Sequence, residues 1–116
     1  MFEFLSMFND YEQRKVDNYT NGDIQVDTVA VNDSEHPFET GITHPRYKDG
    51  EWIIVETYDT KKDAQVGHLR WVKIMTDGNL PRTLRDTSTA GVKRFWEALG
   101  VFPEHDVYEI KKAGNI

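Results

Sequence analysis

Between Gly50 and Thr76 the chain reads GEWIIVETYDTKKDAQVGHLRWVKIMT, a short apolar run that passes directly into a helical repeat. Trp52, Ile53, Ile54 and Val55 are consecutive apolar residues, the pattern of a strand buried on both faces. Asp49-Gly50 before them is a turn signal, because both residues tolerate positive φ. Thr60 is placed to cap a helix, with Asp63 three residues on as an acidic variant of the capping box. From there Ala64, Gly67, His68, Trp71, Val72 and Met75 fall at i, i+3, i+4, i+7, i+8 and i+11. That spacing defines one stripe on one helix face. A central buried strand with a helix laid across it is therefore the expected nucleus of the fold.

The stripe has a glycine and a histidine at its middle. Glycine inside a helix costs about 1 kcal/mol relative to alanine, and close approach of the helix backbone to the sheet would offset that cost. His68 is then expected at the helix–sheet interface, bonded to a strand backbone or to a carboxylate such as Glu39 or Glu56. A structural role is the expectation for both residues.

The rest of the chain reads as cover for this pair. Phe2, Phe4, Leu5 and Phe8 form an apolar N-terminal arm over residues 1–10, a candidate interface with this chain's own core or with a neighbour. Residues 11–18 and Ile24–Val31 alternate, and Asn21-Gly22 between them is the strongest short hairpin signal present. Phe38–Thr43 reads as a third strand, ended by His44-Pro45 because a residue before proline prefers extended geometry. A C-terminal extension over 79–116 begins with a basic extended segment, Asn79–Asp86. A second helix follows, capped by Thr87 or Ser88, with Val92, Phe95, Trp96 and Leu99 as its stripe and Gly100 at its end. Val107–Lys111 alternates as a last edge strand. The expected architecture is a single α+β domain over residues 1–116. It is a small antiparallel meander with an amphipathic helix on one face, a second C-terminal helix and an edge strand.

Composition excludes several function classes. The chain has 116 residues and no cysteine, so neither a disulfide framework nor a thiolate zinc site is available. No apolar run approaches the ~20 residues of a membrane helix, and the first residues lack the basic start of a secretion signal. A net charge of −6 argues against nucleic acid as a partner. The charge is unevenly distributed: residues 1–60 hold 13 Asp/Glu against 4 Lys/Arg, while residues 61–116 hold 7 against 10. Such halves can associate head to tail with another copy or with a polar partner, or intermix on one surface.

No catalytic signature appears. His36, Glu39 and His44 are metal-competent residue types, but their spacing fits no helical ligand pair. On one strand the two histidines would stand about 26 Å apart. Ser6, Ser34 and Ser88 lack a nucleophile-elbow context, and no glycine-rich phosphate loop is present. No enzyme activity, cofactor or metal is expected. A catalytic pairing of His68 with a carboxylate requires that His68 line an open pocket.

Phe38-Glu39-Thr40, Tyr58, Thr60, Asp63-Ala64, Gly67-His68 and Trp71-Val72 together resemble a group of short tailed-bacteriophage proteins. These carry an aromatic-Glu-Thr strand and a Tyr-x-Thr-x-x-(Glu/Asp)-Ala-x-x-Gly-His-x-x-x-Val helix. The match covers residues 37–73, and Gly67-His68 is its most specific element. The resemblance implies a phage origin and nothing catalytic. The expected function is that of a virion or assembly component (minor capsid, neck or tail protein) acting through contacts with phage or host proteins or with itself. Its location would be the virion or the host cytoplasm. The alternative is a small acidic inhibitor of a host defence or nucleic-acid-binding protein. That role requires Asp10, Glu12, Asp17, Asp23, Asp27 and Asp33 to form one acidic face.

Overall fold

The strands follow the alternation and turn chemistry of the sequence closely. In a computed structural model describing residues 13–31, 36–87 and 107–112, β1 (Lys15–Asn21), β2 (Ile24–Ala30), β3 (Phe38–Thr43) and β4 (Ile53–Tyr58) form an antiparallel sheet in the order β1-β2-β3-β4. The helix α1 (Lys61–Thr76) packs across all four strands, so the fold is α+β. Thr60 caps it, its hydroxyl accepting from the Asp63 amide at 3.1 Å. Among the described residues no helix is long and apolar enough to cross a membrane. The N-terminal arm with Phe2, Phe4, Leu5 and Phe8, and the second helix with Val92, Phe95, Trp96 and Leu99, lie outside the described residues.

Two expectations are corrected. The first hairpin turns one residue later than Asn21-Gly22. Asn21 pairs with Ile24, and Gly22 takes φ +61° at the first position of the two-residue Gly22-Asp23 loop. Glycine is favoured there when only the first loop residue needs positive φ. The apolar run at 52–55 is not a central strand: β4 ends the sheet order, Ile54 and Val55 are half-buried, and Trp52 is 45% exposed. An apolar run reports burial at single residues, whereas position in a sheet depends on partners far away in sequence. The last edge strand is present as Val107–Glu109 (β6), paired with β5 (Thr83–Arg85) in a second, two-stranded sheet.

β4 carries the irregularity that shapes the interior. Phe38, Glu39 and Thr40 face Tyr58, Thr57 and Glu56, but Gly41 and Ile42 face Ile54 and Ile53, leaving Val55 as an extra residue. Side chains alternate across a strand, and one inserted residue switches the faces beyond it. Ile53 therefore meets Ile42 in the core, while Glu56 and Tyr58 point to the same helix-covered face.

The second sheet closes one end of that core through the turn after β3. Tyr47 is fully buried and donates its hydroxyl proton to the Pro81 carbonyl. Lys48, Asp49 and Gly50 all have positive φ, at 49°, 53° and 83°. Left-handed backbone at a lysine is strained, and contacts hold it. The Lys48 ammonium donates to the Trp52 carbonyl at 3.2 Å, lies 3.6 Å from the buried Asp86 carboxylate and sits 5.0 Å from the Tyr108 ring centre. Arg46 and Lys111 exchange backbone and side-chain bonds alongside, and Lys111 pairs with Asp49.

Candidate functional site

The stripe on α1 faces the sheet. Ala64, Gly67, His68 and Met75 are buried, and Trp71 and Val72 are half-buried beside the core. The glycine serves a side chain rather than close approach to the strand backbone. A Cβ at Gly67 would overlap the hydroxyl and ring of Tyr58, so its bare Cα is the recess that holds the tyrosine.

Around that recess the polar residues of five elements join. His68 Nδ1 lies 2.8 Å from the Thr28 hydroxyl, which lies 2.6 Å from that of Thr40. Thr40 is 3.0 Å from the Tyr58 hydroxyl, and Tyr58 donates to Glu56 Oε1 at 3.2 Å. Glu56 Oε1 also accepts from the Trp71 indole N–H at 2.8 Å and from the Arg70 guanidinium. At the other end His68 Nε2 stands 3.8 Å from Asp17 Oδ2 on β1. The seam crosses all four strands, roughly 14 Å at the usual strand spacing. Thr28 and Thr40 are fully buried and His68 is 2% exposed. Among the described residues no buried side-chain nitrogen or oxygen lacks a partner.

Burial sets the electrostatics. Desolvation pushes the His68 imidazole below its ordinary pKa, opposed by the negative charges of Asp17 and Asp27. Tyr58 is pushed up to about 12, first by burial and then by the carboxylate of Glu56, against the stabilising bond from Thr40. His44, buried at the end of β3, is also lowered, by desolvation and then by Arg46. Under α1 the interior is thus held at neutral pH by neutral hydroxyls and an imidazole, with the carboxylates of Asp17 and Glu56 at its margins.

The expected partners of His68 are replaced by others. Glu39 lies on the far face of the sheet, because Thr40 next to it faces the helix. Glu56 is occupied by Tyr58, Arg70 and Trp71, and a threonine hydroxyl holds the imidazole instead. The sequence offered one signal for this: Thr28 and Thr40 are β-branched polar residues in strands whose same-face neighbours, Val26 and Ile42, are apolar. His36, Glu39 and His44 do not converge. His36 pairs with exposed Asp59 at 2.5 Å, while His44 Nδ1 accepts from the Arg46 amide at 3.1 Å.

The imidazole is 2% exposed, so among the described residues His68 is not presented to an open pocket. Open depressions lie elsewhere among the described residues. One of about 460 Å³ lies between the β1–β2 turn and the Lys48–Gly50 turn, with Asp23, Gln25 and Asp49 as its main polar groups. A smaller one of about 150 Å³ lies on the far face, where Trp52 and Ile54 rest over Gly41 between Asp27 and Glu39. Two apolar residues stand in water on the outer side of α1: Val66 at 56% and Leu69 at 67% exposure. Comparisons with known protein families, with curated proteins and with solved structures find no match to this chain.

Proposed function

We propose that this chain is a non-enzymatic component of a tailed-bacteriophage virion or of its assembly, acting through protein–protein contacts. The observation that carries the reading is the outer face of α1. Val66 and Leu69 lie one helical turn apart between exposed Lys62 and Lys73, an apolar contact point with a basic frame. The opposite face of the same helix directs its polar groups inward, into bonds with one another. A fold that uses its histidine and tyrosine for cohesion and leaves aliphatic residues in water is suited to docking. Mass spectrometry of purified particles is the test. Recovery of the protein at a fixed stoichiometry supports the reading, and its absence from particles overturns it.

The acidic-inhibitor reading is less well supported. Asp17 faces the helix, Asp27 faces the far side of the sheet beside Asn18, and Asp23 sits in the hairpin turn. These three carboxylates do not share a face. Asp10, Glu12 and Asp33 lie outside the described residues.

A further inference from the structure

We infer that the seam is a one-way chain of hydrogen-bond donors that presets the tautomer of His68 and makes its Nε2, aimed at Asp17, a proton-binding atom coupled to Glu56 across the sheet. The direction follows from proton counting. A carboxylate only accepts, and Glu56 Oε1 already receives the Trp71 indole and the Arg70 guanidinium. The bond between Tyr58 and Glu56 can be made only with the single Tyr58 proton, since the carboxylate has none to give. The bond between Thr40 and Tyr58 is therefore made by the Thr40 proton. Thr40 then accepts from Thr28, and Thr28, with its own proton committed, accepts from His68. His68 carries its proton on Nδ1, and the lone pair of Nε2 faces the Asp17 carboxylate at 3.8 Å. His44 has the opposite tautomer, because the Arg46 amide donates to its Nδ1.

Protonation of His68 breaks no bond in this chain. The new proton enters at Nε2, and the resulting imidazolium faces Asp17, tying α1 to β1. The groups that set its affinity come from every packed element: Asp17 on β1, Thr28 and (through the sheet) Asp27 on β2, Thr40 on β3, Tyr58 and Glu56 on β4, and Arg70 on α1. Both ends of the seam are within reach of a partner. Asp17 is 57% exposed and Arg70 is 49% exposed. A partner carboxylate that draws Arg70 off Glu56 would be sensed as a changed proton affinity at the opposite edge.

Long-range ¹H–¹⁵N correlation spectra of the intact chain at pH 7.5 test this directly. The expected result is a protonated, pyrrole-type Nδ1 and a bare, pyridine-type Nε2 for His68, with the reverse at His44. A protonated Nε2 at His68 in the wild-type protein overturns the inference. In Glu56→Leu the Tyr58 proton loses its acceptor and can turn to Thr40, so the chain can reverse and the Nε2–H form should gain population. An unchanged tautomer overturns the coupling to Glu56. On acidification the Nε2 signal should move much further than that of Nδ1, with its midpoint lowered in Asp17→Asn; an unmoved midpoint removes Asp17 from the device. The wild-type spectrum decides the tautomer even if a variant fails to fold.

Discussion

The two faces of the four-stranded sheet are made from the same strands, yet they solve opposite problems. The face under α1 places Thr28, Thr40, Tyr58 and His68 where water is excluded, and each is bonded to the next. The far face carries Asp27, Val29, Glu39 and a half-exposed Trp52 around the bare Cα of Gly41. In the dry face a lost partner leaves a buried polar group uncompensated, whereas on the wet face solvent replaces it. Polarity alone does not mark the surface. A continuous line of polar contacts runs through the interior described between α1 and the sheet.

The sharpest way to break the comparison is a side chain at each glycine. Gly67→Leu should lower stability by about 3 kcal/mol, because the added carbons displace Tyr58 from its recess and part it from Thr40 and Glu56. Gly41→Ala should cost much less. Its Cβ would meet Ile54 at 3.1 Å and Trp52 at 3.3 Å, and half-exposed Trp52 has room to give way. Chemical denaturation of both variants checks the ranking, and equal losses would mean the far face is as closed as the near one.

Next in size is Thr28→Val, nearly the same shape without the hydroxyl. It leaves Thr40 without its donor bond and His68 Nδ1–H without an acceptor, at a cost of about 2 kcal/mol. The same experiment on the far face is Asp27→Asn, which should change stability by less than about 0.5 kcal/mol. Paired unfolding curves measure both, and a neutral Thr28→Val would show that the seam contributes nothing net to folding.

The pH dependence gives a smaller, directional effect. His44 and His68 both have folded-state pKa values below the ordinary 6.5. Below that pH the unfolded chain binds more protons than the folded one. Their contribution is therefore intact above about pH 6.5 and is lost as pH falls towards the folded values. Melting temperature should decline over that acid range. In His68→Gln the decline should be shallower, because only His44 remains of the buried pair. An acid limb with the wild-type slope in that variant would assign the decline to other groups.

Much of the fold was legible before any coordinates. The Thr60 cap, the stripe from Ala64 to Met75 and the Phe38–Thr43 strand all rest on local chemistry: a side-chain oxygen within reach of a backbone amide, 3.6-residue periodicity, and a proline after an extended residue. The adoption of positive φ after Tyr47 was legible in part. Asp49-Gly50 announced a turn, but nothing in the sequence placed Lys48 in the left-handed region, because that depends on Trp52, Asp86 and Tyr108 receiving its ammonium.

By itself, then, the sequence determined which segments become strands and helix, and that Gly67 and His68 share the buried side of α1. Only the tertiary structure decided what they meet there. The extra residue at Val55 turns Glu56 and Tyr58 inward, and strand pairing sets Thr28 beside Thr40. The hydrogen bonds of the seam join residues up to 40 positions apart. No local propensity specifies such a meeting: it exists only once α1 lies across the sheet and excludes the water that would otherwise satisfy each group alone.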